Sequence, residues 1–178
     1  MKYFLDTEFA ETGDQNEPTI DLISIGIVCE DSRTYYAESS SFDHENCDDW
    51  VLENVVDKLL TNTQEDFKQK KNRVIAEEIQ DFVAAPHDLV RGKARPEFWA
   101  YYASYDWVVF CWLFGKMIDL PDGYPMHPMC LQQWWKQLGQ PDIKPPTPSH
   151  EHNALADALW NQQLYHALMA EQNDRYAR

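Results

Sequence analysis

The apolar positions open with Tyr3, Phe4 and Leu5, a strand-prone run at the start of the chain. In an extended segment alternate side chains share a face, so Phe4, Asp6 and Glu8 point to one side. The polar stretch Glu11 to Pro18, with Gly, Asn and Pro among its residues, reads as a loop. Ile20 to Val28 is rich in β-branched residues and predicts a second strand. A turn at Asp31–Ser32 leads to a third, Thr34 to Glu38. Three strands with short links predict an antiparallel meander whose middle member lies in the core.

Helical spacing then takes over. A cap at Asp48 or Asp49 opens a helix to Leu60, with Val51, Val55 and Leu59 at i, i+4 and i+8 and a break at Thr61–Thr63. A longer helical region runs to about Val83, carrying Val74, Ile75, Ile79, Phe82 and Val83 on one side. Its polar beginning, Glu65 to Arg73, reads as a loop or an exposed turn, and Pro86 ends the helix. Glu97 to Tyr102 predicts a fourth strand, and Tyr105 to Lys116 a helix that is apolar nearly all round and therefore buried. Met126 to Leu131 reads as a fifth strand and Gln132 to Leu138 as a brief helix. The prolines of Lys144-Pro-Pro-Thr-Pro-Ser149 hold that segment extended, and the last helix runs from near Asn153 toward Met169. Strands first, then helices alternating with strands, predict an α/β domain on a mixed sheet.

Composition narrows this picture. At 178 residues, with 44% hydrophobic and 25% charged positions and no internal repeat, one domain over residues 1–178 is expected. No apolar run approaches the ~18 residues needed to span a bilayer, and the start lacks a signal-peptide pattern. A cytoplasmic location with no membrane partner is therefore expected. The four cysteines, Cys29, Cys47, Cys111 and Cys130, form no Cys-x-x-Cys pair and read as ordinary thiols.

A net charge of −15 opposes tight binding of long duplexes and favours end-directed or short-substrate chemistry. The local basic clusters, Lys68, Lys70, Lys71 and Arg73 and then Arg91, Lys93 and Arg95, read first as solvated faces. A site built from carboxylates still attracts phosphate once divalent cations fill it.

Three places carry candidate chemistry. Asp6 and Glu8 on one strand face repel each other unless a proton, a basic group or a metal ion lies between them. Asp106 stands at a strand-to-helix junction, where α/β sheets place ligand-binding groups, although a helix dipole alone also favours an Asp there. His152 and Asp157 are five residues apart, ~140° from each other on an ideal helix. They converge only if His152 lies outside the regular helix, and a capping His over a solvated Asp remains the plainer reading of that spacing.

In order and context, Asp6-Thr7-Glu8, the Asp106 of Tyr-Asp-Trp and His152-x4-Asp157 resemble the DEDDh exonucleases of the DnaQ-like, ribonuclease H-like superfamily, from Lys2 to about Leu168. More narrowly, Phe-Leu-Asp-Thr-Glu-Phe, Trp-Ala-Tyr-Tyr-Ala-Ser-Tyr-Asp and Glu-His-Asn-Ala-Leu-Ala-Asp-Ala are similar to a small bacterial and phage 3′–5′ exoribonuclease subfamily. Many members of the broader family carry Asn four residues before the second-motif Asp, where Tyr102 stands here.

The resemblance implies a ribonuclease H-like mixed five-stranded sheet, its first three strands antiparallel, flanked by helices. It implies a metal-dependent 3′–5′ exoribonuclease that removes nucleoside 5′-monophosphates from RNA 3′ ends by a two-metal-ion mechanism. Asp6, Glu8, Asp106 and Asp157 would hold two Mg²⁺ or Mn²⁺ ions, as hard oxygen ligands select. His152 would accept the proton of the attacking water; His150 is an alternative without the family spacing to Asp157. Phe9, Leu22 and Ile23 would pack against the terminal base.

The implied partner is RNA with single-stranded 3′ ends or overhangs, DNA remaining open, and a homodimer is favoured over a monomer. Three other readings compete. One is a 3′–5′ exodeoxyribonuclease or a scavenger of short oligonucleotides. Another is a catalytically silent nucleic-acid-binding module, which would gain nothing from clustered anions that repel phosphate. The third, an interaction domain whose acidic surface binds basic partners, would show no dependence on divalent metal.

Overall fold

The computed structural model describes residues 1–84, 95–148 and 152–177, and in it the first strand, β1, runs from Lys2 to Gly13. It pairs antiparallel with β2 (Pro18–Cys29), from Tyr3 opposite Cys29 to Gly13 opposite Pro18. The predicted loop from Glu11 to Pro18 is therefore half ladder, narrowing to residues 14–17: Glu11 faces Ile20 and Thr12 faces Thr19. The Asp14 carboxylate closes the turn by accepting hydrogen bonds from the Asn16 and Glu17 backbone N–H groups (2.7 and 3.1 Å).

A third strand, β3 (Thr34–Glu38), adds antiparallel to β2. On the other side of β1, β4 (Glu97–Ala100) and then β5 (Met129–Cys130) add in parallel, giving the order β3-β2-β1-β4-β5. Parallel neighbours require crossovers, and the helices supply them. Between β3 and β4 lie α1 (Asp49–Asn54), α2 (Leu60–Thr63) and α3 (Asn72–Ala84). Between β4 and β5 lies α4 (Ser104–Leu113), and α5 (Leu131–Gln137) and α6 (Ala154–Tyr176) follow.

The single helix expected up to Leu60 is instead split. Asp48 caps α1, accepting from the Val51 N–H (2.8 Å), and a 3-10 turn at Val56–Lys58 follows it. A new short helix then runs from Leu60 to Thr63, across the break expected at Thr61–Thr63. The cause is distant in sequence: the buried Glu38 carboxylate of β3 accepts from the N–H groups of Leu60 (2.6 Å) and Thr61 (3.2 Å) and from the Thr61 hydroxyl (2.6 Å). A capping carboxylate supplied from another element starts a helix that local sequence does not announce.

Alternation along β1 sorts the core. Tyr3 and Leu5 join Ile25, Ile27 and Phe98 in a layer with α3 and α4, whereas Phe4 joins Val28 and Trp99 in the layer under α6. The helix α4 is less buried than its composition predicts, since Tyr105, Val108 and Trp112 are exposed on one side. Lys70 and Arg73, from the first basic cluster, pair with Glu78 and Glu77 on α3 (2.7 Å each), consistent with a solvated face. All four cysteines are free thiols. Among the described residues no helix is long and apolar enough to cross a membrane. The helix stop at Pro86, the basic residues Arg91 and Lys93, and His150 lie outside the described residues.

Candidate active site

The pairing of β1 with β4 ends at Phe4 and Trp99, and beyond this point a cleft of about 760 Å³ opens above the sheet. Asp6 is two residues further along β1. The alternation that sends Phe4 toward α6 sends Asp6 and Glu8 the same way, and Thr7 toward α4.

Gly26 lies opposite Asp6 on β2. A Cβ added at Gly26 would stand 2.3 Å from the Ala154 carbonyl oxygen, so the first turn of α6 rests directly on this glycine. That close approach delivers Asp157, and one oxygen from each of Asp6, Glu8 and Asp157 lies within 4.8 Å of the other two. One turn later the buried Asn161 donates from Nδ2 to the Leu5 carbonyl (2.9 Å), tying α6 to the residue before Asp6.

Asp106 sits in the first turn of α4, and one carboxylate oxygen accepts from both the Thr7 N–H (3.0 Å) and the Thr7 hydroxyl (2.7 Å). The central residue of Asp6-Thr7-Glu8 thus fixes the fourth carboxylate. Its role had no signal in the sequence beyond its position between two acids.

His152 lies just outside the helix, as convergence with Asp157 requires. Asn153 is the N-cap of α6, and its side chain accepts from the Ala156 N–H (3.1 Å). His152 precedes it with φ of 65°, a left-handed conformation that turns the chain back, so that its N–H donates to the Asp157 carboxylate (3.1 Å). Its ring meets Trp50 edge-on at 4.9 Å and lines the cleft.

Of the three residues expected against the terminal base, only Phe9 reaches the cleft, where its ring stacks on Tyr105 at 5.7 Å. Leu22 and Ile23 are corrected: they are 4% and 0% exposed and belong to two separate core clusters. The reason is a bulge. Between the pairs Glu8–Ser24 and Phe9–Leu22 the register skips Ile23, which turns inward to meet Ala10, Val55 and Leu59. The cleft also takes in Tyr101, Tyr102, Lys144 and Trp160, none of which was singled out as a site residue.

Residues 1–169 match the profile of the Rv2179c-like domain, described as a 3′–5′ exoribonuclease domain. The chain is 39% identical to 3′–5′ exoribonuclease Rv2179c of Mycobacterium tuberculosis over 158 residues, covering 89% of this chain and 87% of the relative. The same figures hold for 3′–5′ exoribonuclease MT2234.1 of another strain of that species. The chain belongs to the Rv2179c-like 3′–5′ exoribonuclease family. Among solved structures, the nuclease domain of 3′hExo, a DEDDh family member bound to rAMP, is similar with a TM-score of 0.57 at 12% identity, covering 97% of this chain and 92% of that one. Cell-death related nuclease 4 is similar with a TM-score of 0.50 at 10% identity, covering 94% of this chain and 64% of that one. At such identities the likeness is one of fold, and the ribonuclease H-like α/β arrangement agrees with it.

In this Rv2179c-like exoribonuclease the acidic cluster is held against its own repulsion. Burial, then the charges of Asp106, Glu8 and Asp157, push the Asp6 carboxyl well above the usual range. Burial, Asp157 and Asp106 push Glu8 up to about 8, with Lys58 opposing. Burial raises Asp106 to about 6 against the two Thr7 hydrogen bonds. The folded protein therefore binds protons more tightly than the unfolded chain, and stability falls as pH rises. This stabilisation is complete below the ordinary carboxylate range and is lost as pH climbs through about 6 and then about 8.

Metal-free protein is accordingly expected to melt several degrees lower at pH 8.5 than at pH 5, each kcal/mol being worth ~2–4 °C at this size. Saturating Mg²⁺ should remove most of that slope. Thermal melts with and without chelator check this, and a flat metal-free profile would contradict the repulsion.

Proposed function

We propose that this exoribonuclease works through two divalent cations, Mg²⁺ or Mn²⁺, and shortens RNA from a free single-stranded 3′ end by one nucleoside 5′-monophosphate at a time. The observation that carries the proposal is the convergence of Asp6, Glu8 and Asp157 oxygens within 4.8 Å, with Asp106 held alongside by Thr7. The donor set fits such ions: every group is a hard carboxylate oxygen, and their mutual repulsion favours a cation among them. Bound there, the cations would stabilise charge on the attacking and leaving oxygens of the phosphoryl displacement.

The chain's own groups supply the rest. Asp6, Glu8, Asp106 and Asp157 would be the ligands, and their fixed positions would orient the scissile phosphate. His152 would take the proton from water, and its backbone bond to Asp157 keeps its ring registered to the acidic cluster. The Phe9–Tyr105 stack offers a flat apolar wall for the terminal base, a contact that tolerates any sequence. The whole of residues 1–178 would act as one exonuclease domain. The exposed Trp112 and Ile118 support a homodimer.

Incubating 5′-labelled RNA and DNA of matched sequence with Mg²⁺, Mn²⁺ or excess chelator tests the reading. A metal-dependent ladder receding from the RNA 3′ end is expected. Equal degradation of DNA would widen the substrate class, and no cleavage by folded protein with any metal would favour the silent binding module. In the same assay His152→Ala should lose ~10²–10⁴-fold in kcat, the usual contribution of a positioned base, while its melting temperature still rises with Mn²⁺. A variant with near-normal rate would remove His152 from the mechanism.

A further inference from the structure

One wall of the cleft is built from a strap of residues 141–148, in which Pro141, Pro145, Pro146 and Pro148 restrict the backbone. Two indoles pin it from separate helices. Trp135 of α5 donates from Nε1 to the Pro141 carbonyl (2.9 Å), and Trp160 of α6 donates to the Pro145 carbonyl (3.2 Å). Lys144 lies between these two fixed points. Its ammonium stands 3.9 Å from the centre of the Trp135 ring and 4.9 Å from that of Tyr101, and it donates to the Tyr101 hydroxyl (2.5 Å).

A flexible lysine has thus been given a defined place without a carboxylate to hold it: among the described residues Lys144 forms no ion pair. Aromatic faces and a neutral hydroxyl orient an ammonium and leave its charge available, with donors to spare for an incoming anion. In a chain of net charge −15, Lys144 is the one lysine or arginine among the described residues that line the cleft. It is also set apart from the acidic cluster. Although Asp6, Glu8, Asp106 and Asp157 line the same cleft, its ammonium pairs with none of them and is held at Trp135 and Tyr101 instead. That placement leaves the Lys144 charge free to serve an anion other than the phosphate placed at the carboxylates.

We propose that Lys144 binds the RNA phosphate one linkage upstream of the scissile one, so that the site prefers chains of three or more nucleotides, which carry this phosphate, over dinucleotides without a 5′-phosphate, which lack it. The inference rests on the exoribonuclease reading, because it takes the scissile phosphate to lie at Asp6, Glu8 and Asp157. The strap supplies the rigidity: a cation on a backbone fixed by prolines and two indoles reads the position of a phosphate as well as its charge. Arg substitutes for Lys in such a contact, whereas an uncharged side chain does not.

The test is a substrate series of short RNAs in which single linkages are replaced by neutral methylphosphonate, with a 2′-deoxy nucleotide on the 5′ side of the chosen linkage in both charged and neutral versions. Wild-type protein should lose about tenfold in kcat/KM when the linkage next upstream of the scissile one is neutral, mostly through KM. Lys144→Met should show a similar loss on fully charged RNA and no further loss on the neutral substrate, while Lys144→Arg should stay near wild type. The dependence of log(kcat/KM) on log salt should flatten by ~0.7 in Lys144→Met, the share of one single-strand phosphate contact. A Lys144→Met protein with normal kinetics, or one as sensitive to the neutral linkage as wild type, would overturn the proposal. Wild-type protein that degrades none of these RNAs would instead overturn the exoribonuclease reading on which it rests.

Discussion

Asp6→Asn should remove at least about a thousandfold of the RNA-degrading rate, ~4 kcal/mol of transition-state stabilisation, and at the same time raise the melting temperature of the metal-free protein. The two effects have one origin. Asp6 lies at the centre of the acidic cluster, next to Glu8 and Asp157 and under the influence of Asp106. Its folded-state carboxyl is pushed upward first by burial and then by those three charges, so its ionised form is held in the fold at a cost.

An amide of the same shape relieves that repulsion and gives up an anionic oxygen that a divalent cation would need. The expected signature is therefore a crossover: the variant melts above wild type in chelator at pH 8 and below it in saturating Mg²⁺. Activity, calorimetry and metal titration on the same preparation separate this outcome from simple misfolding, which would lower stability under both conditions. Full activity in Asp6→Asn would sink the assignment of the site.

The parts of this site that were legible in the sequence are those set by local geometry. Period-two alternation places Asp6 and Glu8 together on the face that meets α6, and the structure has them there. Convergence of His152 and Asp157, five residues apart, needs His152 outside the regular helix, and φ of 65° at His152 is that departure. The position of Asp106 at a strand-to-helix junction was legible, and its first-turn place in α4 is where the structure has it.

What was not legible depends on distant partners. Glu38 starting a helix at Leu60, Thr7 gripping Asp106, and Trp160 holding the strap at Pro145 each join residues far apart in the chain. The bulge that turns Ile23 inward is a property of strand pairing, and the apolar character of Leu22–Ile23 suits a core as well as a base-binding wall. Tyr102 adopts φ of 55° where Asn is the easier residue, and only its place in the cleft shows it beside the site.

Gly26→Ala should cost the enzyme about a hundredfold in activity and ~1–3 kcal/mol in stability, the range of an overpacked position. The signal was present in the sequence as a glycine inside Ile25-Gly26-Ile27, since glycine within a strand often marks the close approach of another backbone. The structure names the approaching group. A methyl at position 26 would meet the Ala154 carbonyl oxygen at 2.3 Å and the Ala154 carbonyl carbon and Leu155 nitrogen at 2.4 Å each.

All three are backbone atoms of the first turn of α6, so no side chain can swing aside and the helix itself must move. Three residues along that turn is Asp157, and opposite Gly26 is Asp6, so the displacement falls directly on the acidic cluster. The stability loss alone leaves most molecules folded, and the larger loss of activity therefore reports on the cluster's geometry. The deciding measurement is the Mn²⁺-induced rise in melting temperature. It should be strongly reduced in Gly26→Ala and preserved in Val28→Ala, a control that opens space in the same layer under α6 without pushing its first turn. Equal metal responses in the two variants would show that the contact at Gly26 does not set the position of Asp157.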